Sequence, residues 1–194
     1  MAARSFTRAE LESFRDAEVP DLLPGPGDPP VRLLFVGINP GLWTAATRTH
    51  FAHPGNRLYP ALFRGGVITR PIDPTGMDDA DRAHLRERGI GITNLVRRAT
   101  AKASELSADE QRAGGAELVA TVELVRPRVV AMAGITAYRI AYGVPKAVMG
   151  RQPEPLGGAE LWVVPNPSGL NAHETVESLA AAYAEVARAA GVLT

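Results

Sequence analysis

Cysteine is absent from all 194 residues, which excludes a disulfide framework, a thiolate metal site and a thiol nucleophile. Lysine is scarce: Lys102 and Lys146 are the only two, and neither lies in a loop that carries chemistry. An enzyme that opens a sugar through a Schiff base needs an amine nucleophile, and none is placed for that here. No stretch of about 18 apolar residues occurs, so no helical membrane span is expected. The opening residues Met1-Ala2-Ala3-Arg4-Ser5 lack the apolar centre of a secretion signal, and a soluble cytoplasmic protein is the expectation. The four histidines and the scattered acids show no metal-ligand spacing, so neither a metal nor a cofactor is expected. Phosphate loops of the Gly-x-Gly-x-x-Gly and Gly-x-x-x-x-Gly-Lys-Ser/Thr types are missing, which argues against a nucleotide-binding α/β enzyme.

Net charge is zero, yet acids are missing from whole stretches. Between Asp28 and Asp73 come Arg32, Arg48, Arg57, Arg64 and Arg70 without an acid. Arg88, Arg97, Arg98 and Lys102 stand unopposed before Ser104, as do Arg126, Arg128, Arg139, Lys146 and Arg151 between Glu123 and Glu154. Local field rather than net charge steers a polyanion. The runs therefore read either as a basic face for phosphates or as arginines that find partners in three dimensions.

With 45% hydrophobic residues, the chain can bury a core as a single domain over 1–194, residues 1–30 forming an N-terminal helix and a Pro/Gly connector. Thr7-Arg8-Ala9-Glu10 and Ser107-Ala108-Asp109-Glu110 are capping boxes that open helices. The first runs toward Asp16; the second carries the apolar stripe Leu118, Val119, Val122 and Leu124-Val125 and stops at Pro127. Further helices are expected over 57–65, 78–88, 135–142 and 174–190. Runs at 33–36, 89–96, 129–133 and 161–164 read as strands. Strands alternating with helices indicate an α/β fold: a three-layer α/β/α sandwich around a short, mainly parallel sheet of about four strands.

Two of these strands deliver loops of like chemistry. Leu33-Leu34-Phe35-Val36 leads into Gly37-Ile38-Asn39-Pro40-Gly41, and Leu161-Trp162-Val163-Val164 leads into Asn166-Pro167-Ser168-Gly169-Leu170. Open α/β sheets place ligands at such carboxyl ends. An asparagine amide donates and accepts at once, so Asn39 can hold a water against an electrophilic carbon; equally, Asn-Pro-Gly can be a plain turn.

Taken with Phe51-Ala52-His53-Pro54-Gly55-Asn56-Arg57, the two loops resemble the mismatch-specific uracil/thymine-DNA glycosylases of the uracil-DNA glycosylase superfamily. The resemblance runs from about Val31 to Ala189. It implies an enzyme that turns a damaged base out of double-stranded DNA and hydrolyses its N-glycosidic bond. Asn39 matches the asparagine that positions the attacking water. Phe51 matches the aromatic that stacks on the flipped base, and the backbone near Ile38 and Phe51 would read its edge. Gly41 lies in the same base pocket. Leu170 matches the wedge that enters the base stack, on a DNA-binding loop with Asn166, Pro167 and Ser168, and Gly169 and Asn171 would contact the orphaned opposite base. Arg57 and His53 lie where phosphates pass, with His173 a further neighbour. Phe51 also reads as a core aromatic, and Leu170 as packing for the helix that follows.

Departures from the family pattern refine the expectation. Asn94, where members vary between Lys and Asn, would assist Asn39 with water or the leaving base. Thr44 replaces a smaller residue beside the pyrimidine C5, so its methyl should crowd thymine and favour uracil. His50 matches a histidine of the animal enzymes near the base. Trp43 has no bulky counterpart, and its direction is open. The implied product is an intact abasic site, left by a monofunctional, monomeric enzyme that is nucleoid-associated. Two other readings stay open: the same site acting on deaminated purines such as xanthine or hypoxanthine, and a non-catalytic DNA-binding relative.

Overall fold

The apolar runs become four parallel strands, and a fifth, two-residue strand joins one edge: β1 (Leu33–Gly37), β2 (Ile90–Asn94), β3 (Val129–Ala133), β4 (Gly150–Arg151) and β5 (Glu160–Val164). This is a computed structural model, and it describes residues 5–194. The strand order is β2-β1-β3-β5-β4, with only β4 antiparallel. Every residue of β1 and β3 is buried, as a sheet covered on both faces requires. The sheet has one strand more than the sequence suggested. β4 carries no apolar run: Gly150 and Arg151 pair with Val163 and Trp162 at a half-exposed edge.

Seven α-helices form among the described residues, with one 3-10 turn at Ala103–Glu105: α1 (Arg8–Glu12), α2 (Leu42–Thr47), α3 (Leu58–Arg64), α4 (Asp79–Glu87), α5 (Ala108–Val125), α6 (Ile135–Tyr142) and α7 (Val176–Ala189). Both expected capping boxes form, at Thr7 and Ser107, and two more cap α4 at Asp78 and α7 at Thr175. α1 is shorter than expected. It stops at Ser13, and Asp16 then turns the chain with a left-handed φ of 61°.

Strand alternation sorts the core into two layers. Leu33, Phe35, Ile92 and Ala131 face α3, α4 and α7, meeting Tyr59, Leu62, Leu85 and Tyr183. Leu34, Val36, Met132 and Val163 face α5 and α6, meeting Leu118, Val122 and Tyr138. None of the helices among the described residues is long and apolar enough to cross a membrane.

Helix α5 lies hard against the loop after β2. A Cβ on Gly114 would stand 2.1 Å from the Leu95 carbonyl oxygen. Alanine gains up to about 1 kcal/mol over glycine inside a helix, but overpacking of this kind costs about 1–3 kcal/mol. Gly114→Ala is therefore expected to lower the thermal midpoint by several degrees, at about 2–4 °C per kcal/mol for a domain of this size. A midpoint at or above the parent's would show that the contact relaxes freely.

Candidate active site

The chain leaves β1 for β2 on one side and returns to β3 on the other, so the carboxyl ends of β1 and β3 flank the switch point where a crevice opens. Residues from four loops meet there. A Cβ on Gly37 would lie 2.6 Å from Asn94 Oδ1 and 3.2 Å from Phe51 Cζ, so only glycine lets the amide and the ring close on the end of β1. One on Gly134 would sit 3.5 Å from Ile38 Cδ1 and 3.7 Å from Asn166 Nδ2. Ile38, Phe51, Asn94 and the root of the back loop thus share one site.

The Asn39 amide is held in a defined orientation. Its Nδ2 donates to Thr100 Oγ1 at 2.7 Å and to the Arg98 carbonyl at 3.0 Å, with the Pro40 carbonyl at 3.1 Å. Thr100 spends its own proton on the Lys102 carbonyl at 2.9 Å, so toward Asn39 it can only accept. Three acceptors around one end of the amide identify that end as the nitrogen. Oδ1 is left to accept a hydrogen bond from something else. Gly41, the N-cap of α2, bridges to Thr100 and has open space where a side chain would stand.

Asn94 is oriented by His50. The buried imidazole places Nε2 3.0 Å from the Pro20 carbonyl and Nδ1 3.4 Å from Asn94 Nδ2. A carbonyl can only accept, so Nε2 carries the proton and Nδ1 accepts from Asn94, turning the Asn94 carbonyl oxygen toward Gly37 and Phe51. Burial is the main influence on His50 and holds its pKa below the ordinary value, against the Pro20 hydrogen bond and the Asp21 charge, which raise it.

Phe51 follows with a left-handed φ of 56°, a strained backbone for an aromatic. Two bonds hold it. The buried Tyr59 hydroxyl donates to the His50 carbonyl at 2.6 Å, and Thr44 Oγ1 accepts from the Ala52 N–H at 3.2 Å. Burial raises the Tyr59 phenol far above its usual range, so it stays a donor. Thr44 is thus a tether for the Phe51 segment. Trp43 turns to Phe6 and His53, edge-on at centroid distances of 5.0 and 6.1 Å.

The back loop is built from its own polar groups. Asn166 Oδ1 accepts the Ser168 N–H at 3.0 Å, Ser168 Oγ accepts the Leu170 N–H at 3.3 Å, and Asn171 Nδ2 donates to the Asn166 carbonyl at 3.1 Å. The Pro167 carbonyl accepts from the Arg57 N–H at 3.0 Å. Leu170 does not pack on α7: it projects with 89% of its surface exposed. Gly169 lies so close to the 51–57 segment that a Cβ would stand 2.6 Å from the Gly55 oxygen. His173 is exposed on the descending side of the loop.

Arg57, expected near the phosphates, is engaged within the fold. Its guanidinium turns inward and donates to the carbonyls of Ser168 at 2.6 Å and Asn171 at 2.7 Å, and to that of Glu174. Other run arginines are also taken up within the fold: Arg70 by Asp81 at 2.7 Å, Arg88 by the Val67 carbonyl at 2.6 Å, Arg98 by Glu110 and Asp16, Arg139 by the Ala147 carbonyl. Sequence reasoning missed Thr100, Tyr59 and Tyr183, whose hydroxyl donates to the Pro165 carbonyl at 2.9 Å. No spacing rule marks these residues: Thr100 acts across 61 residues, Tyr183 across 18 and Tyr59 across nine.

The His50 geometry carries a pH dependence. Unfolded His50 takes up its proton near pH 6.5, whereas the folded ring does so only at lower pH. The unfolded state then binds more protons below that value, so stability is full above about pH 6.5 and falls as pH drops through it. Urea midpoints should be flat from pH 8 to 7 and decline below, and His50→Gln should reduce the decline. His84 is lowered too, by burial and then by Arg88 and Arg70, so the quantity to read is the difference between parent and variant. Equal slopes would dismiss His50 as the source.

Compared with known families, residues 24–187 match the model of the uracil DNA glycosylase superfamily. The match spans the sheet, both Asn-Pro loops and the 51–57 segment, and leaves out the N-terminal stretch before residue 24. Since it covers well over half of the chain, and the fold agrees with it, the chain belongs to the uracil DNA glycosylase superfamily and is a DNA glycosylase, a hydrolase of base-excision repair that acts on damaged bases in DNA.

Proposed function

We propose that the protein removes uracil, preferentially opposite guanine, from double-stranded DNA and leaves an intact abasic site. The observation that carries this reading is the fixed Asn39 amide, whose nitrogen is occupied by Thr100 and Arg98 and whose oxygen is available to a water. An amide is too weak a base to create hydroxide, so the route is dissociative. The C1′–N1 bond breaks with its electron pair on the base, and the water held at Asn39 Oδ1 adds to the oxocarbenium-like sugar. The proton released from that water passes to solvent or to the departing base.

Substrate choice follows from the groups around Phe51. The base stacks on the ring, a contact worth about 1–3 kcal/mol in comparable nucleic-acid sites. Asn94 Oδ1, turned toward the ring by His50, accepts the imide N–H of uracil, a proton that cytosine lacks. Thr44, buried and held to Ala52, narrows the place where a thymine methyl would lie. Leu170 supplies the apolar plug for the vacated stack. A G·U pair opens more readily than A·U, which favours the mismatch. Neither lysine stands among these groups, so the product is an abasic site without strand scission.

Excision from labelled U·G, U·A, T·G, xanthine and hypoxanthine duplexes tests the reading. Uracil opposite guanine should be cleaved fastest, with no adduct trapped by borohydride. Asn39→Ala should lose at least about a hundredfold, near 2.7 kcal/mol of barrier, while still binding abasic DNA. Leu170→Ala should slow U·A more than U·G. Faster turnover of xanthine or hypoxanthine would transfer the site to deaminated purines, and an Asn39→Ala variant as fast as the parent would sink the mechanism.

A further inference from the structure

Residues 14–22 precede the stretch that matches the superfamily, yet they touch the supports of both site asparagines. The strap they form has two arms. In the front arm, the Asp16 N–H donates to the Ala99 carbonyl at 2.9 Å and the Ala99 N–H to the Ala17 carbonyl at 3.0 Å. Val19 is buried with Leu42, Ala45 and Ala99 in a small separate core, against which Phe14 and Ala17 pack. The next residues in each direction, Arg98 and Thr100, are those that hold the Asn39 nitrogen.

In the back arm, the Pro20 carbonyl fixes the tautomer of His50, which orients Asn94. Asp21 Oδ1 accepts the buried Thr93 hydroxyl at 2.8 Å, one residue before Asn94. Leu22 and Ile92 exchange both backbone hydrogen bonds at 2.9 Å. One short segment therefore reaches Asn39 through the 98–100 stretch and Asn94 through β2 and His50.

We propose that this strap is a positioning element of the active site, setting the front amide through Ala99 and the rear amide through Pro20 and Asp21. Its consequence for catalysis rests on the glycosylase reading above. Amide orientation has a steep effect because a hydrogen-bonding group must sit close to its productive geometry to contribute. Removing a strap contact should lower the chemical step while leaving DNA affinity nearly unchanged.

The test uses the full chain. Asp21→Ala removes the acceptor for Thr93, whereas Asp21→Asn keeps one; Val19→Ala loosens the front arm. Single-turnover excision of U·G should fall about tenfold in Asp21→Ala, equivalent to about 1.4 kcal/mol, with abasic-duplex affinity nearly unchanged and recovery in Asp21→Asn. Val19→Ala should show a loss of similar kind. Neither substitution should add to the loss when its own asparagine is already alanine: Asp21→Ala with Asn94→Ala, Val19→Ala with Asn39→Ala. Orientation is read without substrate from side-chain amide NMR signals, Asp21→Ala moving those of Asn94 and Val19→Ala those of Asn39. Unmoved signals, or rate losses equal in both backgrounds, would overturn the strap's role. Signals that move while Asn39→Ala excises like the parent would instead overturn the assigned chemistry and leave the positioning intact.

Discussion

The candidate site depends on one missing methyl group. At Gly37 the Asn94 amide oxygen and the Phe51 ring approach the end of β1 more closely than any side chain would allow. The Phe51 ring and the Asn94 amide are arranged around this approach. Phe51 reaches it only through a left-handed backbone, which Tyr59 and Thr44 hold from two sides. Asn94 reaches it because His50 takes up the other end of its amide. Asn39 follows two residues later on the same loop, secured by a different set of partners. The Asn39 nitrogen and the Asn94 amide are each held by neighbours whose own partners, the Lys102 and Pro20 carbonyls, can only accept, so both amides are oriented within the protein itself.

Much of this was legible in the sequence, for reasons particular to the residues. The strands could be read because β1 and β3 are buried on both faces and therefore apolar throughout. The Asn-Pro loops could be read because proline and glycine mark turns, and because loops at strand ends are where such sheets bind ligands. What stayed hidden was action at a distance. Thr100 stands 61 residues from the asparagine it holds, and no spacing rule joins the two. Thr44 was judged by its methyl, whereas its hydroxyl is the part with a structural task. β4 has no hydrophobic signal, since two residues on a half-exposed edge need none.

The arginines show what a charge run along the chain becomes in three dimensions. Runs without an acid left two readings open, a face for phosphates or arginines with partners in the fold, and Arg57, Arg88 and Arg139 follow the second, donating to backbone carbonyls. A planar guanidinium with five donors suits several carbonyls at once better than an ammonium does. Arg57 illustrates the result: it gathers carbonyls of the back loop beneath Leu170. The backbone on either side of Leu170 is thereby tied to the start of α3, while the Leu170 side chain itself stays exposed.

The pairing of Leu22 with Ile92 has a consequence outside catalysis. An open parallel sheet has two edges whose unpaired N–H and C=O groups can recruit another chain. Here the β2 edge is met by that strap residue, and the far edge ends in β4, only two residues long and bearing an arginine. Neither edge offers a long flat template, so the same segment that steadies the asparagines also protects the sheet from edge-to-edge aggregation.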